Sequence, residues 1–411
     1  MRPNRDAPLY CLILIFLISC DSGPAGVDED LSIYRDPGRG PFEKVAAEDL
    51  VERCGLDPDL LASIDAQTLY PYAVVRYGLL CHEHYPEESG IGPDDLVENF
   101  SATKTLAAAV VGRAVTLSAE LEYPLRDTDR MDAWVDDITF NPDSLVAHVL
   151  SMLGHNENID YGEREFSYDA LGFVQLNRLS DVIDAVVAQD PGYFEDVQDA
   201  GEFADRFLFE PLGMDQSDWS GEYFSVGWAS NLLDMARLGL LLTHDGVYGQ
   251  ERILPEEWVY KMTHPSFEDS NTGYGYLTWL AAKARHKVPG YSEFINVPLG
   301  SCQPPALWQE YPHGLSESPD CGYQNLYSCK QEIDSGVFAA VGLNGQLIVG
   351  HPALDLVIVT KNAGLSAFIS VPWDLVRPAL VEHDPVYRGD MEAFCRDYTA
   401  GDYAPDLILQ R

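Results

Sequence analysis

Positive charge is the scarcest property of this chain. Its 411 residues carry 26 Lys and Arg against 66 Asp and Glu, a formal net charge of -40. Such a surface repels a phosphate backbone, which excludes nucleic acid as a partner. The same acidity disfavours adsorption onto anionic lipid and fits a self-repelling, soluble surface. Beyond the N-terminus no apolar run is long enough to span a bilayer. There is no Cys-x-x-Cys pair, so a zinc ribbon or a thioredoxin-like site has no pattern to rest on. A Gly-x-Ser-x-Gly elbow, a P-loop and a dinucleotide fingerprint are also missing. No cofactor and no metal are expected. His82 and His84 share one face of a strand, but no third ligand accompanies them, and they read as an exposed strand end.

What is present begins with a targeting segment, residues 1–19. Arg2 and Arg5 precede an apolar run at 9–18, too short for a mature spanning helix. It closes on Leu17-Ile18-Ser19-Cys20, which resembles the lipobox of bacterial lipoproteins. That resemblance implies a diacylated Cys20 as the mature N-terminus, and two acyl chains give a stable anchor. The expected location is an exported bacterial lipoprotein facing the periplasm or the cell exterior, touching the membrane only through this lipid. Residues 20–45, with their Gly, Pro, Asp and Ser, are expected to be a flexible tether. Six cysteines remain beyond Cys11 and Cys20, and in an exported chain an even number suggests disulfides. The expected pairing joins Cys54 to Cys81 and two of Cys302, Cys321 and Cys329 to each other. Cys395 takes the third.

The chemistry is concentrated in Ser101-Ala-Thr-Lys104. The run that follows, through Val115, is apolar, rich in Ala and free of Pro, so it predicts a buried helix. Lys104, three residues on, returns to the serine's face. Buried there, its ammonium loses solvation and its pKa falls, and a neutral lysine can take the serine's proton. The bland alternative is a capping serine and a snorkelling lysine.

Around this element the pattern predicts a hairpin turning at Tyr77-Gly78, and helices near 142–153, 166–179, 201–209 and 232–242. From residue 273 it turns to strands: 274–280, 338–342, 346–350 and 355–360, then a closing helix at 371–381. Strands at both ends and helices between them imply one antiparallel sheet completed by N- and C-terminal segments, with an inserted helical lobe, an α+β fold. Residues 46–382 would form this domain and 383–411 a C-terminal extension. The stretch 285–335 holds three cysteines and six prolines with little periodicity. It is either a stapled lid or a disordered excursion, and its cysteines favour the lid.

Several boxes in order resemble the penicillin-recognising serine hydrolases, the superfamily of serine beta-lactamases, D-alanyl-D-alanine peptidases and related esterases and amidases. The likeness is to the class C-like branch that includes 6-aminohexanoate-dimer hydrolase. Ser101-Ala-Thr-Lys104 resembles its Ser-x-x-Lys. Phe166-Ser-Tyr168-Asp-Ala170 resembles its Phe-x-Tyr-Ser-Asn box. Gly342-Leu-Asn-Gly-Gln346 resembles the Gly-His-Gly-Gly-Gln strand box that stands where beta-lactamases have Lys-Thr-Gly. The resemblance implies a beta-lactamase/transpeptidase-like fold and a serine hydrolase acting on a small ester, amide or short peptide-like substrate. It implies Ser101 as the nucleophile, Lys104 as the base and Tyr168 as the proton shuttle, its phenol acidified by the neighbouring ammonium. An oxyanion hole would join the Ser101 N–H to one from Gly345-Gln346, with Leu343, Asn344, Ala170 and His155 lining the substrate site.

The departures narrow the substrate. Ala170 stands where the family has Asn, and Leu343 where it has Lys or His. A methyl and a leucine side chain supply neither an amide nor positive potential, so neither penicillin turnover nor a strongly anionic substrate is expected. The alternative these departures motivate is a catalytically inactive scaffold that binds a cell-envelope partner.

Overall fold

The computed structural model describes residues 31–136, 144–154, 166, 168–267, 273–280, 285–287, 294–296, 337–365 and 367, and parts of 372–381. Its centre is a six-stranded sheet. β1 (Tyr72–Arg76) and β2 (Leu79–His84) form the expected hairpin. Tyr77 and Gly78 take φ of 54° and 68°, the left-handed pair of a type I′ turn, whose twist matches the flanking strands. β3 (Trp279–Leu280), β4 (Phe338–Gly342), β5 (Gln346–His351) and β6 (Leu356–Thr360) complete the sheet. The order is β2-β1-β6-β5-β4-β3, and every neighbouring pair is antiparallel. The N-terminal hairpin thus docks on the C-terminal strand, as the two-ended strand pattern predicts.

β1, β5 and β6 are buried along their whole length, so helices or loops cover both faces. Before the hairpin come α1 (Leu50–Cys54) and α2 (Pro58–Asp65). A disulfide joins Cys54, at the end of α1, to Cys81 in β2, the expected pair. The lobe between hairpin and β3 holds α3 (Thr103–Leu117), α4 (Val146–Leu150), α5 (Ala170–Asn177), α6 (Leu179–Val187), α7 (Ala200–Ala204), α8 (Leu232–Thr243) and α9 (Glu256–Thr263). α8 lies on β1, β5 and β6. The Asn231 side chain caps it by accepting from the Asp234 N–H at 2.8 Å. α3 is buried over most of its circumference, against β4, α6, α7 and α9. Its alanines let these neighbours approach.

Two expectations change. Residues 274–280 do not run as a strand. Leu277 takes φ 51°, outside the extended region. Its N–H donates to Leu150 O at 2.8 Å, and its carbonyl accepts from Thr105 Oγ1 at 2.8 Å. Only Trp279 and Leu280 are left to pair with β4. Residues 34–45, expected as part of a free tether, are docked. Tyr34, Phe42 and Val45 are buried, and Val45 N–H donates to Leu80 O beside β2. The carbonyls of Gly38 and Gly40 accept from the buried Arg237 guanidinium.

In the 285–335 insert, Arg285–Lys287 pairs antiparallel with Phe294–Asn296. The remaining insert, with Cys302, Cys321 and Cys329, lies outside the described residues. So do the first 30 residues with Cys20, the loop with His155, Cys395 and the 383–411 extension.

Candidate active site

Ser101 sits in a tight turn, Phe100–Ala102, that feeds directly into α3. Phe100 adopts φ 46°, a left-handed conformation that is costly for an aromatic residue. The turn lifts Ser101 to a half-buried position while Lys104, one helical turn along, is 1% exposed. The Lys104 ammonium nitrogen is 2.9 Å from Ser101 Oγ and 2.9 Å from the Ser225 carbonyl oxygen. It also lies 4.0 Å from the Phe173 ring centroid and 4.9 Å from that of Tyr168. Loss of hydration in this apolar, aromatic pocket lowers the Lys104 pKa to about 7. Within hydrogen-bonding reach of the serine, a lysine half neutral at pH 7 is a competent base.

α5 organises the opposite wall. Asp169 caps it, its carboxylate accepting from Gly172 N–H at 3.0 Å, and this fixes Tyr168 immediately before the helix. At the other end Asn177 Oδ1 accepts from Ser225 N–H at 2.9 Å, which orients the carbonyl that holds Lys104. The buried Tyr168 hydroxyl is hydrogen-bonded to Ser101 and to the Trp279 indole. Desolvation pushes its pKa up to about 12, with the two hydrogen bonds pulling the other way. The expectation of an acidified phenol therefore reverses: the ring is buried among Phe166, Phe173, Tyr274 and Trp279 and stays protonated at neutral pH. A protonated phenol is a proton donor.

Ala170 opens α5 and is exposed. Its methyl offers Lys104 no acceptor, and the Ser225 carbonyl takes the second hydrogen bond. Leu343 is 58% exposed, at the tip of the β4–β5 hairpin. Asn344 and Gly345 follow it with φ of 65° and 80°. The Gly345 N–H is already used inside the turn, donating to Gly342 O at 3.2 Å. Gly342 pairs with Gln346 in the ladder, and the Gln346 side chain bonds Asn362. The N–H groups expected to hold an oxyanion are thus committed to the hairpin. In an antiparallel ladder the polar groups alternate in direction. With Gly342 and Ala340 directed at β5, Val341 faces the other edge, where β3 reaches only Phe338 and Ala339. The Phe100–Ala102 turn packs against this end of β4. Gly342 has no side chain because a Cβ there would lie 2.1 Å from Asn99 O.

The arrangement of this antiparallel sheet and its helices also occurs in solved structures. A protein assigned as a beta-lactamase from Bacteroides dorei DSM 17855 superposes with a TM-score of 0.52 at 16% identity, covering 80% of this chain and 100% of its own. The chain has the beta-lactamase fold. A family VIII carboxylesterase gives a TM-score of 0.50 at 12% identity, covering 82% of this chain and 98% of its own. No family model matches the sequence, and no curated protein does.

Ser225, Asn177, Trp279 and Val341 escaped the sequence reading. Ser225 and Val341 act through backbone groups, which carry no side-chain signature. Trp279 lay inside a segment whose aromatic character reads equally well as core. A cavity of about 690 Å³ lined by Asn177, Arg178, Asp184, Asp199 and Tyr223 lies behind α5 and contains neither Ser101 nor Lys104. Among the described residues no group of His, Cys, Asp and Glu is placed to hold a metal ion.

Proposed function

We propose that this protein is a serine hydrolase that cleaves an ester or amide through an acyl-Ser101 intermediate, anchored to a membrane by lipid on Cys20. The observation that carries the reading is the 2.9 Å contact between Ser101 Oγ and a buried Lys104 whose pKa is lowered to about 7. Neutral Lys104 accepts the serine proton as Oγ attacks the substrate carbonyl. The Ser101 and Val341 N–H groups stabilise the oxyanion. Collapse of the tetrahedral intermediate expels the leaving group, which takes the Tyr168 proton. The Lys104 ammonium, beside the Tyr168 ring, passes the proton it took from Ser101 to the phenolate. Water then attacks the acyl-enzyme by the same relay in reverse. The substrate is small and carries little negative charge: the chain's net charge is -40 and the hairpin tip presents Leu343 instead of a cation. No nucleic acid and no cofactor enter the scheme.

The test is labelling with a fluorophosphonate probe followed by peptide mapping. Modification of Ser101 that vanishes in Ser101→Ala supports the reading. A folded protein that resists a panel of such probes, with a binding phenotype unaffected by Ser101→Ala, sinks it in favour of the inactive scaffold.

A further inference from the structure

A second buried lysine lies behind the nucleophile. Lys361 directly follows β6 and is 1% exposed. Its amine donates to the Val97 carbonyl at 2.9 Å and to the Asn99 side-chain oxygen. Asn99 is fully buried, and its polar groups are all engaged. Its amide nitrogen donates to Ser230 Oγ at 2.8 Å, its N–H to Trp228 O at 2.7 Å, and its carbonyl accepts from Ala102 N–H at 3.0 Å. Phe100, with φ 46°, and Ser101 are the only residues between Asn99 and Ala102. The turn presenting the nucleophile is therefore spanned at its base by a residue that Lys361 grips.

Resting on the serine hydrolase reading above, we propose that Lys361 is a positioning residue for the reaction: through Asn99 it holds the left-handed Phe100 turn that aims Ser101 Oγ. Burying an amine is costly unless each donor is used. Here both acceptors belong to the segment entering the Ser101 turn. An amine keeps at least two N–H donors whether charged or neutral, so the grip persists across neutral pH. No side chain in the Ser101–Lys104–Tyr168 group needs it for proton transfer. Its effect is geometric, and a misplacement of about 1 Å is enough to slow a reaction by roughly a hundredfold.

The experiment measures the rate of Ser101 labelling by a fluorophosphonate against pH in wild type, Lys361→Met, Asn99→Ala and the double variant. Methionine keeps the length and apolar volume and removes the donors. Lys361→Met is expected to label on the order of 10- to 100-fold more slowly, with the pH midpoint unmoved because Lys104 still sets it. Asn99→Ala should cause a similar loss. The double variant should lose little more than either single change, because both break one linkage. Circular dichroism identifies variants that fold, and Asn99→Ala keeps the test alive if Lys361→Met does not. Wild-type labelling rates in a folded single variant overturn the inference while leaving the hydrolase reading intact, as do fully multiplicative losses in the double. Failure of the wild type itself to label removes the parent reading instead.

Discussion

The sharpest consequence of the site is the pH dependence of acylation. If neutral Lys104 is the base, the acylation rate follows the fraction of Lys104 without its third proton. Burial lowers its pKa to about 7. Roughly one molecule in eleven is then reactive at pH 6, about half at pH 7 and about ten in eleven at pH 8. Pre-steady-state acylation by an activated ester, followed from pH 5.5 to 9.5, should therefore climb about tenfold between pH 6 and 8 and level off above pH 8. Tyr168, pushed up to about 12, remains protonated throughout and adds no falling limb in this range. Lys104→Met removes the base but keeps the packing against Phe173 and Tyr168. It should cost about a hundredfold or more at pH 8 and abolish the rising limb. Near wild-type acylation in Lys104→Met with the same profile would refute the assignment. A wild-type rate still climbing at pH 9.5 would refute the desolvation argument, because it would mean an ordinary, hydrated lysine.

The Cys54–Cys81 disulfide closes a loop of sequence separation 27, for which chain entropy gives about 3–4 kcal/mol. Cys54→Ala with Cys81→Ala should lower the unfolding free energy in urea by roughly that amount, and an unchanged midpoint would argue against the bond. Asp234 is buried at the start of α8, and desolvation raises its pKa to about 6 against hydrogen bonds from Ser217 and Gln216 that lower it. The folded state then holds a proton that the unfolded state releases near pH 4. This contribution, present at low pH, is lost as pH rises through about 6, at most about 3 kcal/mol. Asp234→Asn should flatten that part of a stability curve measured between pH 4 and 7, and an unaltered slope would show that Asp234 is normally ionised.

Local chemistry explains what was readable from the amino-acid order alone. Gly78 after Tyr77, between β-branched and apolar runs, marks a hairpin because glycine supplies a positive φ that the tight turn requires. Asn231 before an apolar run marks the start of α8 because its side chain satisfies an orphan N–H. Ser101 and Lys104 meet because a helix brings residues three apart onto one face, and the alanines after them require burial. Strands near both ends of the chain imply that one sheet closes them together.

Tertiary packing decided the rest. The Tyr168 pKa depends on Trp279 and on rings of Phe166, Phe173 and Tyr274, brought together from separate segments, and their desolvation outweighs any help from the lysine. The acceptor that steadies Lys104 is a backbone carbonyl 121 positions away, invisible to a motif because every residue has one. The oxyanion donors expected at Gly345 and Gln346 are consumed by the hairpin's own hydrogen bonds, which depend on the register of β4 against β5. Tyr34, Phe42 and Val45 look like part of a polar tether until the fold supplies what they pack on: His244 at the end of α8 for Tyr34, Arg237 of α8 for Phe42, and β2 beside Val45. Lys361 reads as a surface lysine at a strand end, and only the fold brings Asn99 over it. Residue type and spacing fix groups within one element's reach; pKa, hydrogen-bond partner and burial depend on what arrives from elsewhere in the chain.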